Sequence, residues 1–316
     1  MGSCLPCAAT SLLLLQLAVL ASLSAAGHRR YHSIFNFGDS FADTGNKPVA
    51  YAWYSLPSNV MRPPYGETFF GHPTGRSSDG RLILDLIAAG LGLPFVPPYL
   101  AHGGSFGGGA NFAVAGATAL DAGFFHDRDI PGAGSKFPLN TSLDRLMKHG
   151  AKSIVVPGMI PSGCSPPALT SFYGRAGPAD YDARTGCLRE INELASHHNS
   201  LLQDALHELR SKHPDAAIVY ADFFRPVMEM VESPRRFGFR EDVLTVCCGG
   251  GGPYNFNESV ACGGAAATAC EDPSASLYFD GAHLTEAGYR HVADGWLSSI
   301  NSCLCAHPHT MKLRRA

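Results

Sequence analysis

Tyr31-His-Ser-Ile-Phe-Asn-Phe-Gly-Asp-Ser-Phe-Ala-Asp-Thr-Gly-Asn46 decides how the rest of the chain is read. A β-prone run, Ile34 to Phe37, stops at Gly38-Asp39-Ser40, and the residues after it are polar and turn-like. Glycine permits a sharp turn, so Ser40 is expected at the carboxyl end of a strand with its hydroxyl free. In open α/β sheets that edge is where ligands bind. A serine hydroxyl there becomes a nucleophile only if a base takes its proton. The far end of the chain offers one in Asp280-Gly-Ala-His283, followed at once by a helical pattern. An aspartate three residues before a histidine can accept the ring N–H, fixing the tautomer and stabilising the imidazolium that forms. Taken singly, Gly-Asp-Ser is a turn and Asp-x-x-His a helix cap. Their order and separation point to chemistry.

Outward from that stretch, residues 47–76 are rich in Pro, Gly and aromatics and read as a long loop beside Ser40, either packed surface or substrate lid. A helix is expected over Ser78–Leu91, with Leu82, Ile83, Leu86, Ile87 and Leu91 on one face. Gly103-Gly-Ser-Phe-Gly107 matches a nucleophile-elbow pattern, but the prolines before it argue against the strand such an elbow requires. Further on, strands are expected at Ser153–Pro157 and Ala216–Tyr220, and helices at Ser142–His149, Leu188–Leu209, Phe223–Val231 and Thr285–Asn301. In Leu188–Leu209 the apolar face comprises Leu188, Ile191, Leu194, Leu201, Leu202, Ala205, Leu206 and Leu209. Strands alternating with helices indicate a doubly wound parallel sheet under helical layers.

Gly38-Asp-Ser-Phe41, Asn111-Phe-Ala-Val-Ala-Gly116, Gly158-Met-Ile-Pro-Ser-Gly-Cys164, Gly252-Pro-Tyr-Asn-Phe-Asn257 and Asp280-x-x-His283 together resemble the plant GDSL esterase/lipases of the SGNH hydrolase superfamily. The likeness runs from Tyr31 to Leu304. It implies a flavodoxin-like α/β/α sandwich with a central parallel sheet. It also implies a carboxylic-ester hydrolase with Ser40 as nucleophile, His283 as base and Asp280 as its orienter. The backbone N–H groups of Ser40 and Gly116 are then the oxyanion donors, and no cofactor or metal is implied. A third family block, Gly-x-Asn-Asp, would supply an asparagine as a further oxyanion donor after a strand lying beside the one that carries the serine. No Asn-Asp occurs in this sequence, and Asn140 is the only asparagine between Ala119 and Ala151. One strand is therefore expected to be missing, leaving a chain that repacks around the gap or folds poorly. The alternative reading is an impaired or inactive secreted member that acts as a binding glycoprotein.

A length of 316 residues suits one large α/β domain, residues 27–316, behind a leader at 1–26. Residues 11–26 form an apolar run ending in small residues, with Ser24 and Ala26 placed for signal cleavage; the run is short for a membrane span. Removing it leaves eight cysteines, an even number that suggests disulfides in a secreted protein. Adjacent Cys247-Cys248 and the tight Cys303-x-Cys305 suit zinc poorly. Proximity along the chain suggests Cys164–Cys187 and a link from Cys247 or Cys248 to Cys262, with the connectivity otherwise open. Asn140-Thr-Ser and Asn257-Glu-Ser are glycosylation sequons. Charged residues make up 16% of the chain, the net charge is −3, and no basic stripe appears, which excludes nucleic acid as the natural partner. Two acids follow Gly38 where a phosphate loop would need glycines, which disfavours a nucleotide-binding protein. The expected partner is a small-molecule ester, and the expected state a secreted monomer.

Overall fold

A computed structural model describes residues 31–101, 105–118, 127 and 143–306. The proposed leader and the sequon asparagine Asn140 lie outside the described residues. Two parallel strand pairs organise the chain. Strand β1, Ile34–Asn36, pairs with β2, Gly109–Asn111, setting Phe35 opposite Ala110. Strand β3, Ser153–Pro157, pairs with β4, Ala217–Ala221, setting Val155 opposite Val219. A short antiparallel pair joins β5, Cys248–Gly249, to β6, Thr268–Ala269. Both parallel pairs are joined by crossovers that contain helices, as parallel strands require. The class is α/β, as expected. Among the described residues, however, the parallel strands form two separate pairs rather than one continuous central sheet.

Helix α1, Asn46–Trp53, occupies the start of what the sequence presents as loop. Pro48 hides it from sequence reading, yet a proline in the first turn removes an N–H that has no intrahelical partner. Helix α2, Ile83–Gly90, begins later than its apolar pattern. The residues before it are held in other bonds: Asp79 accepts from the Glu286 backbone N–H at 2.7 Å, and Asp85 accepts from the Leu82 N–H at 2.9 Å. Helix α3 is Leu143–Lys148 and α4 is Pro166–Phe172. Helix α5, Arg189–Lys212, buries part of its expected face, with Leu206 in a core cluster beside Leu202 and Leu209, but leaves its flank outside. Leu194 and Leu201 are 63% and 56% exposed, while Ala195, Asn199 and Leu206 are buried. Asn199 faces inward because the turn after β3 needs partners: its Oδ1 accepts from the Met159 N–H at 2.6 Å, and its Nδ2 donates to the Met159 carbonyl at 3.0 Å.

Helix α6, Phe224–Glu232, and α7, Glu286–Ala306, close the main core with α2. Leu82, Leu86, Val227, Met230, Tyr289 and Val292 are buried there. Trp296 joins them and donates its indole N–H to the Asp222 carbonyl at 2.8 Å. A second, smaller core gathers Val60, Tyr65, Phe279 and the cystines of Cys247, Cys248 and Cys262. It lies directly under the segment that carries Asp280.

Candidate active site

The turn after β1 is set by a buried polar network rather than by apolar packing. Asp43 is fully buried, and its carboxylate accepts from the backbone N–H groups of Gly45, Asn46, Lys47 and Ala115. The first three belong to the start of α1, whose orphan donors they are. The fourth belongs to the segment that follows β2. Asn111 donates to the Ala42 carbonyl at 2.6 Å, and Asn46 donates to the carbonyls of Asn111 and Ala113. Val114 N–H closes onto the Gly38 carbonyl at 3.1 Å. Ser40 is thereby fixed between two segments more than 60 positions apart in sequence.

Helix α7 and the loop before it bring in the other partner. Gly281, at φ +143°, permits the turn between Asp280 and His283; a side chain there would meet the Phe256 ring at 3.1 Å. His283 Nε2 lies 2.7 Å from Ser40 Oγ, and Nδ1 lies 2.6 Å from Asp280 Oδ1. With the Nδ1 proton donated to the carboxylate, Nε2 is free to accept the serine proton. The ring packs against Phe41 at 5.3 Å between centroids, which fixes its plane. Its side chain keeps 21% exposure, against 8% for Asp280, so the ring is open to solvent and the carboxylate much less so.

Electrostatics follow from that burial. For Asp280, burial opposes the charged form, but the His283 charge and hydrogen bond, the Tyr65 hydrogen bond and Lys47 outweigh it and hold the carboxyl below its usual range. For His283, burial disfavours the imidazolium, yet the Asp280 charge and hydrogen bond, helped by Asp39, carry its pKa above the ordinary 6.5. Both shifts favour the charged forms of the two groups.

Ser40, Asp280 and His283, expected together from the sequence, meet within hydrogen-bond reach. Gly116 adopts φ +86°, and its neighbour Ala115 donates to Asp43, so the proposed second oxyanion donor hangs on the network that fixes Ser40. Ser105 of the elbow pattern is exposed. Asn257 is exposed. Cysteine pairing is Cys164–Cys187, Cys247–Cys270 and Cys248–Cys262, which resolves the open choice at Cys262 in favour of Cys248. Among the described residues no group of three or more His, Cys, Asp or Glu side chains is arranged to hold a metal ion, and no helix is long and apolar enough to cross a membrane. Sequence reading missed Asp43 and Tyr65. Tyr65 donates its hydroxyl to Asp280 Oδ2 at 2.5 Å across 215 positions. Asp43 stands five residues before Pro48, which itself reads as a loop signal, and nothing local marks Tyr65.

Comparison with known proteins fits this geometry. The chain matches the family described as GDSL-like lipase/acylhydrolase over residues 34–136 and 137–296. It is similar to a GDSL esterase/lipase of Arabidopsis thaliana, 39% identical over 340 aligned residues covering 85% of this chain and 91% of the relative. A second Arabidopsis thaliana GDSL esterase/lipase is 36% identical, with 90% of this chain and 88% of the relative covered. A sinapine esterase of Brassica napus is 35% identical over 352 residues, covering 89% and 88%. Alignments of 340 and 352 positions exceed the 316 residues of this chain, so these relatives carry aligned positions that have no counterpart here.

Proposed function

This chain belongs to the GDSL-like lipase/acylhydrolase family of ester-hydrolysing enzymes, and from that premise we propose that it cleaves small-molecule carboxylic esters through an acyl-enzyme on Ser40. Ser40 Oγ attacks the ester carbonyl while His283 Nε2 takes its proton. Asp280 holds the ring and stabilises the imidazolium. The N–H groups of Ser40 and Gly116 receive the oxyanion. His283 then protonates the leaving alcohol, and water, activated by the same nitrogen, releases the acid. The observation that carries this reading is the 2.7 Å approach of His283 Nε2 to Ser40 Oγ, with Asp280 at 2.6 Å on the opposite nitrogen. Three disulfides suit an oxidising compartment and support secretion behind the 1–26 leader, with residues 27–316 as the catalytic domain.

Labelling with a fluorophosphonate probe tests the mechanism. Wild-type protein is expected to label at Ser40, Ser40→Ala not at all, and His283→Ala only weakly. Turnover of Ser40→Ala should fall by on the order of 10⁶ in kcat. Folded wild-type protein that does not label would overturn the assignment. Sinapine, named for one relative, belongs on the substrate panel beside p-nitrophenyl esters.

A second reading rests on the aligned positions that this chain lacks. We propose that they include the third family block and its strand, whose place would be beside β1. A catalyst without that block's asparagine loses about 10²–10³ in kcat relative to relatives that keep it, because the developing charge loses a pre-placed dipole. Under this reading the protein labels slowly or acts chiefly as a binding glycoprotein carrying sugar at Asn257 and Asn140.

A further inference from the structure

Asp280 presents two oxygens from a largely buried side chain, and the proposed mechanism uses one. Among the described residues, Oδ1 takes the His283 ring and Oδ2 takes the Tyr65 hydroxyl; these are the two hydrogen bonds the carboxylate accepts. A buried carboxylate with one oxygen unpaired would rotate or admit water, so the second bond bears on the first. Tyr65 is built to stay in place. Its ring is 3% exposed and meets the Phe279 ring edge-on at 5.3 Å, next to Asp280 in sequence. The Cys262–Gly263 loop lies against the ring's other edge, and Cys262 is tied by disulfide to Cys248. Cys248 N–H in turn donates to the Phe279 carbonyl at 2.7 Å. On the chain side, Gly66 N–H donates to the Ser78 carbonyl, and Arg81 grips Glu286 at the start of α7. Burial and the nearby carboxylate push the Tyr65 phenol far above its ordinary pKa, so it is a donor at every working pH.

We propose that Tyr65 is a positioning residue for the hydrolytic reaction: its hydroxyl fixes the plane of the Asp280 carboxylate and draws charge from it, which tempers the hold of Asp280 on the His283 imidazolium. The inference rests on the mechanism proposed above. Without the phenol, the carboxylate becomes more basic and the imidazolium more stable. The pH at which His283 loses its proton therefore rises, while the freed carboxylate aims the ring less well. Lys47, Asp39 and Tyr289 also face this pair and stay unchanged in the test, so a displaced titration belongs to Tyr65.

The experiment compares wild-type and Tyr65→Phe full-length secreted protein in pH profiles of kcat and KM on p-nitrophenyl acetate. The acid limb is expected to move to higher pH in Tyr65→Phe. Its plateau kcat should fall about tenfold, the scale seen for outer hydrogen-bond partners of metal-bound histidines, with KM nearly unchanged. The limb decides. If it stays at the wild-type pH the inference is overturned, whatever happens to kcat, because packing loss alone lowers activity without retuning the base. If Tyr65→Phe does not fold, 3-fluorotyrosine at position 65 keeps the ring and strengthens the donor, and it should move the limb to lower pH; an unmoved limb again overturns the proposal. If the wild-type protein turns over no ester, the proposed mechanism fails separately. The same displacement is then read from the His283 ring resonances in an NMR pH titration, where equal midpoints would reject the role of Tyr65.

Discussion

On the Ser40 side of the active site, position comes from hydrogen bonds; on the His283 side it comes from covalent links and packed rings. Asp43, Asn46 and Asn111 hold the turn after β1 through buried side-chain bonds to backbone groups. Across the site, the Asp280 segment is laid along Cys247 and Cys248, whose N–H groups donate to the carbonyls of Tyr278 and Phe279. Both cysteines are cross-linked, to Cys270 and Cys262. The difference reflects local structure. The first side has a helix, α1, whose N-terminal donors give an acid something to bind. The second, 247–284, is loop with little regular structure and few ladder bonds, so its conformational freedom is cut by cross-links instead. The lesson is that a two-sided site fails in two ways: the Ser40 side through loss of buried polar partners, the His283 side through loss of cross-links.

The sharpest way to break the first side is Asp43→Ala. Four N–H groups lose their acceptor in a dry pocket, which should cost about 3–5 kcal/mol and abolish folding or labelling at Ser40. Thermal melting and fluorophosphonate labelling check it. A variant that melts like wild type would show that water replaces the carboxylate and that the network is dispensable. The second side breaks more gently. Replacing Cys248 and Cys262 together by serine should cost about 2–4 kcal/mol, with activity lost faster than global stability, because the loop under Phe279 and Tyr65 is what the bridge restrains. Denaturant unfolding set beside kcat measures both. Equal losses of the two would mean that the bridge stabilises the whole fold and not the site.

The smallest effect is a pH signature that separates stability from activity on the His283 side. The folded pKa of His283 is raised, so its contribution to stability is fully present below the unfolded value near 6.5 and fades as pH rises through the folded pKa. The folded pKa of Asp280 is lowered, so its contribution is present above the unfolded value of 3.8 and is lost as pH falls through the folded one. The pair therefore stabilises most between those two limits. The proposed mechanism needs neutral His283, so activity should rise only above about 6.5. Comparing the melting temperature of wild type with that of Asp280→Asn across pH, beside the pH–rate profile, tests the offset. Coincident optima would contradict it.

Much of this was legible in residues alone. Ser40, Asp280 and His283 could be named because each sits in a short pattern with its own chemistry, and the β3 and β4 strands and the later helices because apolar periodicity reports local structure. Helix α1 was not legible, since Pro48 mimics a loop signal, and neither was the inward place of Asn199 on α5. Its leucines at 194 and 201 follow the apolar rule, but the turn at Met159 demanded a polar partner, and Asn199 supplied it. The choice of Cys248 rather than Cys247 as partner of Cys262 was equally out of reach, because adjacent cysteines differ only in which way the backbone points them.

By itself the sequence determined which groups are proposed to react, because a hydroxyl, an imidazole and a carboxylate are picked out by side-chain chemistry and by neighbours within a few positions. The tertiary structure decided how those groups are held: the Asp43 cage, the cystine-backed Phe279 segment, and the hydroxyl that Tyr65 brings to Asp280 from 215 positions away. Such bonds depend on where distant segments come to rest, and that is set by the packing of the whole core rather than by any local pattern.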